Sequence, residues 1–186
     1  MTSNRCAIFI DGGYLEKTLK NEFDEQRIDF EKLSEELAGS VQILRTYYYN
    51  CMPFQDDPPT QHQKELHAKR DRFMDRLQKL SRYEIRLGKL VKRACEKCQY
   101  VRYEQKRLDV LMAVDLVRLS ATRQIDVAIL VTGDSDFVPA VKVAKMDGVL
   151  VQLYYSRTSK SDELYDACDE RFEISEELIE KVKLYH

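Results

Sequence analysis

Apolar positions along the chain fall into two kinds of run. Short, nearly continuous ones occur at residues 6–10 (CAIFI), 127–131 (VAILV) and 149–155 (VLVQLYY), with a more mixed one at 41–50 (VQILRTYYYN). Runs of this length bounded by acids, glycines or polar residues predict strands, and those with no polar alternation predict strands buried on both faces. Between them the apolar residues recur at helical spacing. Helices are predicted at about 14–23, 30–37, 60–80 (with Leu66, Phe73, Leu77 and Leu80 on one stripe), 108–120, 137–146 and 161–168, with a last helix from Ser175. Residues 83–91 and 100–103 read as strands of a hairpin around ACEKC, and a short strand is predicted near Phe172. The segment CMPFQDDPPT carries the Pro and Asp content of a loop.

Strands alternating with helices this regularly predict an α/β fold with a mostly parallel central sheet flanked by helices. A chain of 186 residues with sparse Gly and Pro suits one ordinary domain, and no linker, repeat or low-complexity segment divides it. The expected organisation is a single domain over 1–186, with a basic helix and hairpin region at about 60–107.

Charge changes this picture only when it is located. The net charge is −2, but residues 64–107 hold fifteen Lys and Arg against six Asp and Glu, so the rest of the chain is strongly acidic. Tyr83, Tyr100 and Tyr103 are interleaved with those cations, a combination that pairs with phosphates and offers ring faces to bases. Lys89, Lys92, Arg93 and Arg102 are the candidate nucleic-acid-binding residues; the competing interpretation is a solvated helix and hairpin with ordinary charge decoration. No apolar stretch approaches the ~20 residues of a membrane span, and the first residues lack the layout of a signal peptide. Five cysteines without a regular framework fit reduced thiols, so a cytoplasmic location is expected.

The candidate chemistry lies in acids at strand ends. Asp11 follows the first strand, and Asp134 and Asp136 follow the strand at 127–131. In a parallel sheet all three belong at the carboxyl edge, where ligands bind. The helix at 108–120 adds Asp109 in its first turn and Asp115 within an apolar stretch. Six residues apart, these two diverge by about 120° and cannot both point identically into one pocket. Clustered carboxylates without a counterion raise one another's pKa, and Mg²⁺ or Mn²⁺ removes that conflict. The chemistry it enables is in-line attack of an activated water on a phosphodiester. Helix capping by Asp134 or Asp136 and turn chemistry at Asp11 are the ordinary alternatives.

The segments AIFIDGGYL, RLDVLMAVDLVRLS, ILVTGDSDFVPAV and GVLVQLYY, in this order, resemble the NYN domain of the PIN-like nuclease superfamily, in its LabA-like branch. The resemblance covers most of the chain and is weakest over 51–103. It implies a three-layer PIN-like fold and a metal-dependent ribonuclease. It also implies an acidic site of Asp11, Asp109, Asp115, Asp134 and Asp136, with Thr132 and Ser135 as candidate supporting groups. Within that site Asp11, Asp115, Asp134 and Asp136 are the candidate ligands of Mg²⁺ or Mn²⁺. Two departures stand out: Tyr14 where many NYN sequences have Asn, and Lys106-Arg107 where a Lys-Gly pair often precedes the helix.

The expected partner is therefore RNA, single-stranded in the first instance, and a homodimer is carried as an expectation. The competing function is a regulatory nucleic-acid- or protein-binding module that keeps the fold and turns over little; a small phosphatase or nucleotide hydrolase using the same acids is a third. Cys95 and Cys98 form half a zinc knuckle with no second pair to complete it, so free thiols are expected there rather than structural zinc. His62 and His67 diverge by about 140° on a helix, and no imidazole base is expected.

Overall fold

A computed structural model describes residues 4–94 and 101–184. Seven strands, β1 (Arg5–Asp11), β2 (Gln42–Cys51), β3 (Tyr83–Ala94), β4 (Val101–Lys106), β5 (Val127–Val131), β6 (Leu150–Tyr155) and β7 (Glu170–Glu173), form one sheet in the order β4-β3-β2-β1-β5-β6-β7. Every pairing is parallel except that of β3 with β4. The helices are α1 (Gly12–Glu22), α2 (Phe30–Ala38), α3 (Gln61–Gln78), α4 (Leu108–Ala121), α5 (Val138–Met146), α6 (Asp162–Ala167) and α7 (Glu176–Val182). This is the three-layer, mostly parallel α/β architecture that the periodicity predicts.

The two cores follow from side-chain alternation along the central strands. In β1, Ala7 and Phe9 face one cluster, which α4, α5 and α6 cover; Cys6, Ile8 and Ile10 face the other, which α1, α2, α3 and α7 cover. Both faces of β1 and β5 are therefore apolar, and each large aliphatic side chain buried there contributes roughly 1.5–3 kcal/mol. Among the described residues no helix is long and apolar enough to cross a membrane.

Two features of the sheet set up the site. Ile10 pairs with Val131, so Asp11 and Thr132 leave the carboxyl edge side by side. Strand β3 pairs with β2 only as far as Gly88, opposite Cys51, and then continues with β4 alone as a two-stranded ribbon. Because β1, β2 and β3 run parallel, the ribbon projects from the same edge at which Asp11 emerges. The Cys95-x2-Cys98 pair and Tyr100 lie outside the described residues.

Candidate active site

Asp11 ends β1 and caps α1, its Oδ1 accepting from the Tyr14 amide at 3.0 Å. Gly12 follows because nothing larger fits: a Cβ there would stand 2.4 Å from the Tyr48 ring and 2.7 Å from Asn50 Nδ2. The loop after β5 supplies the second acid. Asp134 caps the short 3₁₀ turn Ser135–Phe137, its Oδ1 accepting from the Asp136 amide at 2.9 Å, while its own amide donates to the buried Thr132 hydroxyl at 3.3 Å. Ser135 heads the turn, and Asp136 is exposed within it. Asp109 lies in the first turn of α4, which packs on this 3₁₀ turn. The capping roles and the shared acidic location therefore coexist, because a carboxylate accepts at one lone pair and keeps the others.

Four of the five predicted acids feel one another. Burial raises the Asp11 carboxyl above its ordinary range; hydrogen bonds from Tyr14 and Gly13 oppose this, and the charges of Asp109 and Asp134 add to the rise. Asp109 is exposed, yet partial desolvation by the surrounding protein still raises its carboxyl, with Asp134 and then Asp136 contributing. Burial and neighbouring like charges act here in the same direction.

Asp115, expected among the ligands, has different neighbours in the structure. Its Oδ2 accepts from Arg86 Nε at 3.0 Å and from the Tyr49 hydroxyl at 2.9 Å. Arg86 also reaches Glu84 at 2.7 Å, and Glu84 pairs with Arg45 at 2.9 Å. The angular divergence of Asp109 and Asp115 on their helix is the physical reason: one faces the acidic crevice and the other an internal cation.

Other groups make contacts that sequence patterns did not predict. Tyr14 donates to the Ser159 carbonyl at 3.1 Å and accepts from the Ser156 amide at 2.7 Å, fastening the loop after β6 beside Gly133. A Cβ on Gly133 would meet the Ser159 carbonyl at 2.4 Å and the Tyr14 ring at 2.5 Å, so glycine is required by this close approach. Glu22, at the far end of α1, accepts from the Ser156 hydroxyl and from Thr158 Oγ1 at 2.5 Å. Burial works against its charge, but hydrogen bonds from Ser156, Thr158 and the Arg157 backbone hold its carboxyl below the ordinary value. Glu16 accepts from Tyr48, Asn50 and Arg70, tying α1 to β2 and α3. Only the Ser/Thr-rich composition of 156–161 hinted at such a tethered turn.

A family model for the NYN domain matches residues 5–176. The chain belongs to the NYN domain family. A crystal structure of a protein of unknown function, VPA0982 from Vibrio parahaemolyticus RIMD 2210633, has the same fold: it is 18% identical, with a TM-score of 0.69 over 98% of this chain and 97% of that one. No curated protein matches the chain. As an NYN domain it belongs with the PIN-like nucleases, and its two departures acquire structural meaning. The phenol at Tyr14 turns to the β6 loop and takes up the Ser156 and Ser159 backbone groups. Arg107 adopts φ +77° at the entry to α4, the left-handed region that a glycine occupies without strain.

Among the described residues, no three His, Cys, Asp or Glu side chains stand close enough together to hold one metal ion. A closed carboxylate cage is thus absent from the described residues. Mg²⁺, however, is commonly held by one or two carboxylates with waters and substrate phosphate completing its shell. Hard oxygen donors raised by burial and, in part, by one another's charge, as at Asp11 and Asp109, fit that demand.

The basic residues differ in their surroundings. Arg70 and Arg86 are held by Glu16 and by Glu84 with Asp115. Lys92 pairs with Asp56 at 2.8 Å. Lys89, Lys106 and Arg107 are exposed, as is Arg93. On the ribbon Lys89 stands opposite Lys106, and Arg93 opposite Arg102.

Proposed function

We propose that the protein is a metal-dependent ribonuclease hydrolysing RNA phosphodiester bonds at the carboxyl edge of the sheet. The observation that carries this is that the carboxyls of Asp11 and Asp109 are raised, by burial first and by the neighbouring charges of Asp134 and Asp136 in part, a state to which a divalent cation is the natural counterion. Asp11 and Asp134 would hold Mg²⁺ or Mn²⁺, each oriented by a backbone amide, while Asp109 and Asp136 would orient water in the outer shell. When bound, such an ion lowers the pKa of a coordinated water and stabilises charge on the phosphate. Thr132 keeps Asp134 in place through the amide contact, and Ser135 starts the turn that presents Asp136.

Polymer binding is assigned to the ribbon. Like charges directly opposite one another on paired strands are destabilising. One such pair, Lys89 with Lys106, both exposed beside the acidic edge, is relieved by a polyanion, and Arg93 and Arg102 lie further along the same ribbon. Lys92 contributes through the same ribbon once its pair with Asp56 exchanges for phosphate.

The lack of three converging donors among the described residues favours a second reading, a nucleic-acid-binding module with weak turnover on the same fold. One experiment separates the two. Purified protein is incubated with single-stranded RNA in Mn²⁺, in EDTA, and as Asp11→Asn in Mn²⁺. Cleavage in the first condition only supports the nuclease; binding without metal-dependent cleavage supports the module, and undiminished cleavage in EDTA rejects the metal mechanism.

A further inference from the structure

The ribbon carries an aromatic pair that the core does not use. Tyr103 on β4 is 52% exposed, and its ring packs against Phe54 from the loop after β2, with centroids 5.4 Å apart and planes tilted by 45°. Lys92, directly opposite Tyr103 in the register, places its ammonium 5.4 Å from the centre of the Phe54 ring. Lys106 lies three residues further along β4, about 10 Å at strand spacing. Lys106 stands opposite Lys89, which directly follows Gly88, and Gly88 is opposite Cys51 at the carboxyl end of β2, next to the end of β1 where Asp11 emerges. The ring pair is thus one short step along the ribbon from the acidic crevice.

We propose that Tyr103 and Phe54 form a stacking platform for an unpaired base of the bound strand. This rests on the nuclease reading for its location but not for its chemistry. A large exposed phenol edge among cations matches what single strands present: a charged backbone with π-faces free on one side. A duplex keeps its bases stacked inside and offers the platform nothing. Lys92, released from Asp56 or shared with it, supplies the adjoining phosphate contact.

The test is equilibrium binding in EDTA, with the full chain, of a single-stranded RNA of about 12 nucleotides and of a blunt duplex of the same length. Tyr103→Ala is expected to weaken single-strand binding about tenfold while leaving duplex binding and the salt slope unchanged, because the substitution removes a stacking face and no charge. Tyr103→Phe keeps the face and is expected to bind as the unaltered protein does. Phe54→Ala repeats the Tyr103→Ala result, and circular dichroism checks that each variant folds. Equal losses on both probes, or no loss on either, overturn the platform while leaving the nuclease reading standing. Failure of the unaltered protein to bind the single strand overturns the platform, while the nuclease reading is judged by Mn²⁺-dependent cleavage.

Discussion

Arg86 donates from Nε to Asp115 Oδ2 at 3.0 Å, and through that bond an acid on the same helix as Asp109 ties α4 to β3. The chain Arg45–Glu84–Arg86–Asp115–Tyr49 joins β2, β3 and α4 by charge-assisted hydrogen bonds, which are stronger than neutral ones. The Tyr49 hydroxyl is accordingly kept protonated, by burial first and by the Asp115 charge second.

Asp115→Asn should therefore lower stability and spare metal binding. Removing the charged partner of a half-buried Arg costs on the order of 1–3 kcal/mol. Thermal unfolding in EDTA should show the loss, and added Mn²⁺ should shift the variant as far as it shifts the unaltered protein. A smaller metal-induced shift would return Asp115 to the ligand set.

Asp134→Asn should behave in the opposite way. Asp11 and Asp109 have carboxyls raised in part by Asp134, so in the absence of metal their charged forms weaken the native state at neutral pH. Replacing the charge by an amide relieves both, and the variant in EDTA should be at least as stable as the unaltered protein. Excess Mn²⁺ should reverse that order, because binding to the native state alone adds about 2.7 kcal/mol at one hundred times Kd. Paired unfolding curves with and without Mn²⁺ decide it; equal shifts would reduce Asp134 to a cap.

The salt dependence of RNA binding should report on the ribbon. Every phosphate that a cation no longer neutralises lowers the slope of log K against log salt by about 0.7 on a single strand. Combined Lys89→Ala, Lys92→Ala, Arg93→Ala and Arg102→Ala should flatten it, with Lys92→Ala alone giving the smaller change because Asp56 already engages that ammonium. An unchanged slope in the combined variant would place the RNA elsewhere.

Glu22 should contribute to the acid sensitivity of the fold. Its folded pKa lies below the ordinary value of 4.5, so its stabilising effect is full above that value and is lost as pH falls through the folded pKa. Between pH 7 and the acid limb, Glu22→Gln should show a shallower fall in melting temperature than the unaltered protein. Parallel curves would mean that the tether to Ser156 and Thr158 carries no net charge preference.

The sequence was most legible where a periodic signal and a chemical boundary coincide. Residues 127–131 are predicted as a strand and form β5 over the same residues, because five apolar residues end at Thr132-Gly133. Asp11, Asp134 and Asp136 leave one edge because β1 and β5 are parallel neighbours, and Asp109 is brought there by the antiparallel return of β4 into α4, which packs on the turn after β5. The contacts of Asp115 were not legible. An acid within an apolar helical stretch signals a partner, and nothing in the local pattern says that the partner is Arg86, 29 residues away on another element. The bonds of Tyr14 to Ser156 and Ser159, more than 140 residues distant, are equally hidden until the sheet sets β6 beside β5.

β4 ends the sheet on one side, and beyond Gly88 its companion β3 has no other neighbour among the described residues. A long bare edge of this kind is a template for pairing with a second molecule, and Lys or Arg along it is the usual protection. Arg102, Glu104 and Lys106 occupy that strand. The cations assigned to RNA thus also act as guards against edge-to-edge association, so neutralising them should favour self-association of the protein even as it weakens its hold on RNA.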